Sequence, residues 1–230
     1  MTGYWILFIG IALASWLVSY NLKRKEKQYS QIPLGNGMTG RAIAEKMLQD
    51  SGITDVKVVV TSGFLTDNYN PTNKTISLSK DVYMGDNVFA AAVAAHETGH
   101  AIQHATAYAP LKMRSALVPV VSFSSRWVTW ILIGGLILIG SSPNIGAPIL
   151  LAGIVLFAMT TLFSFVTLPV EINASARALT WLNSSGITNS RNHTAAEGAL
   201  KAAAYTYVVA ALSSLATLLY YIMIFLGRRN

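Results

Sequence analysis

VPVVSFSSRWVTWILIGGLILIGSSPNIGAPILLAGIVLFAMTTLFSFVTL (residues 118–168) contains a single charged side chain, Arg126. A helix rises about 1.5 Å per residue, so about 20 apolar residues cross the hydrocarbon of a bilayer. The stretch is long enough to cross twice. It reads as one span over Val118–Ile139 and another over Ala147–Leu168. Gly140–Gly146, with Pro143 and Asn144, forms the turn between them. Arg126 must then snorkel to an interface or face the protein interior.

Outward from this hairpin, two more stretches meet the same length test. Thr2–Tyr20 is uncharged, with no basic residues before it and no small-residue cleavage pattern after it, so it reads as an anchor rather than a leader. Tyr205–Leu226 reads as a fourth span. Composition agrees: 53% of residues are hydrophobic and 12% charged, against about 25% charged in soluble domains, and the mean hydropathy is +0.45. The expectation is a mainly α membrane protein with four transmembrane helices and a small α+β cytoplasmic domain. Its segments are an anchor (1–20), a cytoplasmic domain (21–117), a transmembrane hairpin (118–168), a cytoplasmic helix and loop (169–204) and a last span (205–230).

The formal charge of +7 could suggest a nucleic-acid partner, but the basic residues sit where topology needs them. Lys23-Arg24-Lys25-Glu26-Lys27 follows the anchor, and Lys112, Arg114, Arg177, Arg191 and Lys201 flank the other spans. The turn of the hairpin has none. Positive charge near span ends stays cytoplasmic, so the reading places both termini outside and residues 21–117 and 169–204 inside; Arg228 and Arg229 run against the rule. Anionic lipid headgroups are the expected neighbours of the basic cluster. Nothing here supplies the base-reading or stacking groups of a nucleic-acid interface.

Between the first two spans lie the marks of a folded domain. Met38–Ser51 reads as an amphipathic helix with Ile43, Met47 and Leu48 on one face and Gly52 as its stop. Asp55–Thr61 (DVKVVVT) is β-branched and strand-like, Asp67–Pro71 reads as a turn, and Thr75–Ser79 alternates as a half-buried strand. Asn87–Ala107 is alanine-rich and helical, but too weakly apolar to rank as a span.

That alanine-rich helix contains AAVAAHETGHAIQH (residues 91–104), with H-E-x-x-H at His96–His100. Residues four apart on a helix lie about 40° apart around it and about 6 Å apart along it, so both imidazoles can face one ion. Glu97 projects beside them, placed to take a proton from a water acidified by the metal and to pass it to a leaving amine. The chain has no cysteine and only four histidines, so a transition metal must be held by His, Asp or Glu. Small flanking residues (Ala94, Ala95, Gly99) leave room for metal and substrate. Two satisfied histidines on a packed helix are the bland alternative.

A catalytic zinc takes three protein ligands. His104 lies about 12 Å along the axis from His96, too far to share the ion. The metzincin spacing would require Gly at 103 and His at 106, where this chain has Gln103 and Thr106. Glu171 and Glu197 are the acids that follow the motif. Glu171 opens a second apparent helix, EINASARALTWLN, just after Pro169, on the predicted side of His96; it is the better candidate, with Glu197 as the alternative. Asn173 and Ser175 are candidates to orient a ligand.

Together, His96–Gln103 (HETGHAIQ), the approach Ser79–Tyr83, the turn Leu65–Tyr69, the run Leu168–Ser175 (LPVEINAS) and Thr206-Tyr207-Val208 resemble the YugP-type bacterial membrane zinc metallopeptidases across nearly the whole chain. The resemblance implies a gluzincin-like, zincin-type domain around the H-E-x-x-H helix. It also implies one zinc ion on His96, His100 and Glu171, Glu97 as general base, peptidase activity, and multi-pass residence in the plasma membrane. The chain departs from the family pattern in carrying Asn68 where a histidine often follows the aspartate. It also has Ser175 where related membrane gluzincins commonly place an Asp four residues after the ligand glutamate.

The expected function is zinc-dependent peptide hydrolysis at the cytoplasmic membrane face, on peptides or membrane proteins, with membrane-protein regulators as a further class of partner. His193 and Tyr207 are candidates to stabilise the oxyanion. Thr75–Ser79 could accept a substrate as an added strand. Two competitors stand beside this reading. One is an intramembrane protease, for which no Asn-Pro-Asp-Gly-like motif is present; the other is a non-catalytic scaffold or adaptor with a structural metal site, which would not need Glu97.

Overall fold

The computed structural model describes residues 2–63 and 66–227. Leu65, Arg228 and Arg229, which entered the readings above, lie outside the described residues. Among the described residues, four helices are long and apolar enough to cross a membrane: α1 (Thr2–Tyr29), α5 (Ala109–Ser141), α6 (Pro143–Ser184) and α7 (Ser190–Gly227). Between α1 and α5 lie α2 (Gly40–Asp50), β1 (Lys57–Thr61), β2 (Asn68–Asn70), β3 (Thr75–Ser79), α3 (Lys80–Met84) and α4 (Val88–Ala105). The chain divides into two compact units. The first comprises Met1–Trp16, Met113–Leu168 and Tyr207–Asn230; the second comprises Leu17–Lys112 and Pro169–Thr206.

In the first unit, α5 and α6 pack as a tight hairpin. The expected seven-residue turn shrinks to Ser142, because Ser141 still belongs to α5 and Pro143 already opens α6. Proline suits a first helical turn, where its missing N–H would have no intrahelical partner. Lipid offers no hydrophobic drive between helices, so close backbone approach has to supply the attraction. A Cβ added at Gly146 would come within 2.1 Å of the Ile139 nitrogen, so only glycine permits this approach. Val128, Leu132, Ile139, Leu150 and Ile154 fill the unit's core. Thr161 on α6 and Ser214 on α7 share a 2.7 Å hydroxyl hydrogen bond. Arg126 is exposed, which removes the option of an inward-facing charge.

The second unit packs helices and a small mixed sheet around one core. Thr39 caps α2 by accepting from the Ala42 N–H at 3.3 Å. The helix ends on the expected glycine: Gly52 has φ +69°, its N–H donates to Gln49, and Ile53 donates to Leu48. This paired 5→2 and 6→1 pattern uses up orphan carbonyls and needs the left-handed residue. Ile43, Ala44, Met47 and Leu48 form its buried face.

The sheet runs β1-β3-β2. β1 pairs parallel with β3, Lys57 opposite Thr75, and β2 pairs antiparallel, Tyr69 opposite Ile76. Two expectations fail here. Asn68–Asn70 is a strand rather than part of a turn: pairing with β3 overrides the turn preference of Asn-Tyr-Asn-Pro, and the reversal falls after it, where Lys74 takes φ 52°. β3 is the central strand, paired with β1 along its whole length and with β2 over Thr75–Ser77, so it offers a substrate no continuous free edge. Its inward residues Ile76 and Leu78 are wholly buried, as the alternation required.

α6 supplies the third difference. EINASARALTWLN is no separate helix; it continues the preceding span without a break through Pro169. An interior proline costs roughly 3 kcal/mol in an isolated helix. Here the residues after it bury Val170, Ala174, Ala178 and Leu182 completely, at intervals of four, and this stripe holds the helix in register.

Candidate metal centre

α4 begins with the Asn87 side chain accepting from the Ala90 N–H at 3.0 Å. Alanines 90, 91, 92, 94 and 95 are all buried, so α4 is a core helix of the second unit. It is not among the helices long and apolar enough to cross a membrane. Its small side chains let α6 approach closely beside His96 and His100. At Gly99 an added Cβ would lie 2.7 Å from the backbone oxygen of Ala174. The obstacle is backbone and cannot rotate aside. Gly99→Ala should therefore push the two helices apart at the cost of about 1–3 kcal/mol. A thermal melt of the zinc-free chain should show the lowered midpoint and a zinc titration a weakened site; an unchanged melt would contradict this packing.

The approach brings His96, His100 and Glu171 together, with their ligand atoms all within 4.8 Å of one another. His96 Nε2 lies 3.2 Å and His100 Nε2 3.6 Å from the same oxygen, Glu171 Oε2. The two rings meet edge to face, centroids 4.8 Å apart. A tetrahedral ion with bonds near 2.1 Å separates its donors by about 3.4 Å. The two histidine–carboxylate separations, 3.2 and 3.6 Å, lie close to that spacing, and two imidazole nitrogens with a carboxylate are a donor set that suits zinc. All three groups are largely shielded, Glu171 being 2% exposed.

Each ring is held from behind. His96 Nδ1 lies 3.1 Å from Ser175 Oγ, and His100 Nδ1 lies 3.0 Å from Gln103 Oε1. Gln103, fully buried, donates through Nε2 to the Val170 carbonyl at 2.8 Å and to Asn173 Oδ1 at 3.0 Å. Arg177 Nε donates to that same Asn173 oxygen at 2.8 Å. Ser175 thus touches the His96 ring directly, and Asn173 reaches His100 one step back, through Gln103, which sequence reasoning missed. The signal was present: Gln103 stands three residues after His100, one helical turn along the same face.

Glu97 is 8% exposed. Burial pushes its carboxyl above the usual carboxylate range, with the His96 and His100 imidazoles opposing the shift and Glu171 and Asp67 adding to it. Burial would lower the His100 imidazole, but the Glu171 and Glu97 carboxylates beside it outweigh this and raise it. Asp67, just before β2, accepts from the Ser79 N–H at 2.7 Å, and burial raises its carboxyl as well.

Of the remaining candidates, His104, Glu197 and His193 make other contacts. His104 is tied through Nδ1 to the Tyr69 hydroxyl at 2.8 Å. Glu197, the alternative third ligand, forms an i,i+4 pair with Lys201 at 2.7 Å. His193 lies against Thr188 Oγ1 at 3.2 Å through Nδ1. Tyr207 belongs to the first unit and is 37% exposed.

A family model described as "Putative neutral zinc metallopeptidase" matches residues 4–226. The chain belongs to that family. It is also 39% identical over 229 residues to the "Putative membrane protease YugP" of Bacillus subtilis (strain 168), an alignment covering 98% of this chain and 99% of that relative. No solved structure matches. The family description and the His96–His100–Glu171 cluster agree on zinc.

Proposed function

We propose that this membrane metallopeptidase homologue is a zinc-dependent peptidase of zincin, gluzincin-like type. Its site would lie at the cytoplasmic face of the plasma membrane, and its substrates would be peptides or segments of membrane proteins. The observation that carries the reading is the convergence of both Nε2 atoms of the H-E-x-x-H helix on Glu171, with the buried carboxyl of Glu97 on the same helix. His96, His100 and Glu171 would hold one zinc ion. Bound there, zinc would supply Lewis acidity to the scissile carbonyl and acidify the attacking water.

Glu97 would take the proton of the attacking water and return it to the leaving amine. Its burial favours this, because a carboxyl raised above its ordinary range is a stronger base and gives its proton back as an acid nearer neutral pH. Ser175 and Gln103 keep the rings from turning. Glu97 also weighs against a purely structural metal site, which has no use for a buried carboxyl outside the ligand set. The absence of α4 from the membrane-length apolar helices favours a site outside the bilayer over intramembrane proteolysis. The Lys23–Lys27 cluster after the apolar part of α1 supports the cytoplasmic orientation.

The test is metal removal. The purified full-length chain in detergent should hydrolyse members of a peptide library, lose that activity to a chelator and regain it with stoichiometric zinc. Hydrolysis indifferent to the chelator would overturn the zinc reading, and zinc uptake without cleavage of any peptide would favour a scaffold.

A further inference from the structure

Two groups that cannot donate decide which way the Gln103 amide faces. The Val170 carbonyl only accepts, and so does the Asn173 atom that receives the Arg177 guanidinium, since a guanidinium only donates. Gln103 Nε2 reaches both, at 2.8 and 3.0 Å, which uses both of its amide hydrogens. Its oxygen is thereby turned to His100 Nδ1 at 3.0 Å. An acceptor at that distance calls for a proton on Nδ1, and a neutral ring then carries its lone pair on Nε2, the atom facing Glu171. Ser175 imposes no such polarity on His96, because a hydroxyl can donate or accept.

We infer that Gln103 is the positioning residue of the metal centre. Its amide, oriented by Val170 and by the Arg177–Asn173 pair on α6, sets the ring angle and the tautomer with which His100 meets the metal. This rests on the zinc reading above. It assigns to a fully buried side chain, 67 residues from Val170 in sequence, the task of matching a ligand on α4 to the helix that carries Glu171. A carboxylate or amide behind a ligating histidine fixes its tautomer and raises its basicity, and loss of such a partner weakens metal binding about 10–100-fold.

The experiment uses the full-length chain in detergent. Zinc dissociation constants come from chelator competition, and the thermal midpoint of the zinc-free chain is measured alongside. Gln103→Met removes the acceptor and both donors, and its zinc dissociation constant should rise by about 10–100-fold. Gln103→Glu removes both donors to α6 but keeps an oxygen against Nδ1. It should lose thermal stability as the Met variant does, yet bind zinc within roughly threefold of the native chain, short of the loss expected when such a partner is removed. A Met variant that binds zinc like the native chain overturns the inference. So does a Glu variant as weak as the Met one, which would reduce Gln103 to a tie between helices. If the Met variant does not fold, a Glu variant that binds zinc about tenfold or more weakly than the native chain still overturns the inference. A native chain that takes up no zinc would instead overturn the metal reading itself, and that failure is visible before any variant is made.

Discussion

Glu97→Gln should abolish most peptide hydrolysis while leaving zinc in place. The amide matches the carboxyl in size, so the buried pocket on α4 keeps its packing, and burying a neutral group avoids the desolvation that raises the native carboxyl. Zinc affinity should hold because the three convergent ligand atoms come from His96, His100 and Glu171. What disappears is the group that moves a proton, a contribution of about 10²–10⁴-fold in rate. Turnover of a library peptide by the zinc-loaded variant at the native rate would sink the assignment. Comparing membrane-fraction proteomes of cells carrying the native or the Gln form would extend the test, because accumulating proteins identify substrates. A loss of zinc together with the activity would point to Glu97 as a ligand, so metal content has to be measured on the same sample.

Much of this architecture is legible in the chain because the physics is local. A bilayer demands runs of about 20 apolar residues, and hydropathy alone finds the four long helices. The spacing of His96 and His100 is a property of one helix and needs no partner. Scarcity points to Glu171, since only two acids follow the motif. What stayed hidden depends on segments far apart in sequence. Pro169 reads as a boundary because proline breaks isolated helices, yet burial of Val170, Ala174 and Ala178 carries α6 through it. Asn68–Asn70 reads as a turn until β3 offers its backbone. Gln103 looks like any surface glutamine until α6 covers it, and the choice of Thr75–Ser79 as a free edge failed because edge status is decided by the neighbours of a strand.

Glu171→Gln should remove zinc rather than slow the chemistry. Apparent zinc binding energies of about 10–16 kcal/mol shared among four ligands leave roughly 3 kcal/mol for each. At 1.4 kcal/mol per tenfold, losing one anionic ligand raises the dissociation constant by about a hundredfold or more. The loss should exceed that share, because Glu171 brings the only carboxylate among the three converging groups and faces both imidazoles from a 2% exposed position. An amide oxygen in its place carries no net charge to offset the cation. Glu197→Gln is the control that separates the two acids following the motif. Glu197 is engaged with Lys201 at the surface, and its loss should leave zinc affinity untouched. Chelator competition on both variants decides between them. If Glu197→Gln lost the metal and Glu171→Gln kept it, the convergence of α4 and α6 would not be the metal centre, and every role assigned to Glu97, Gln103 and Ser175 would go with it.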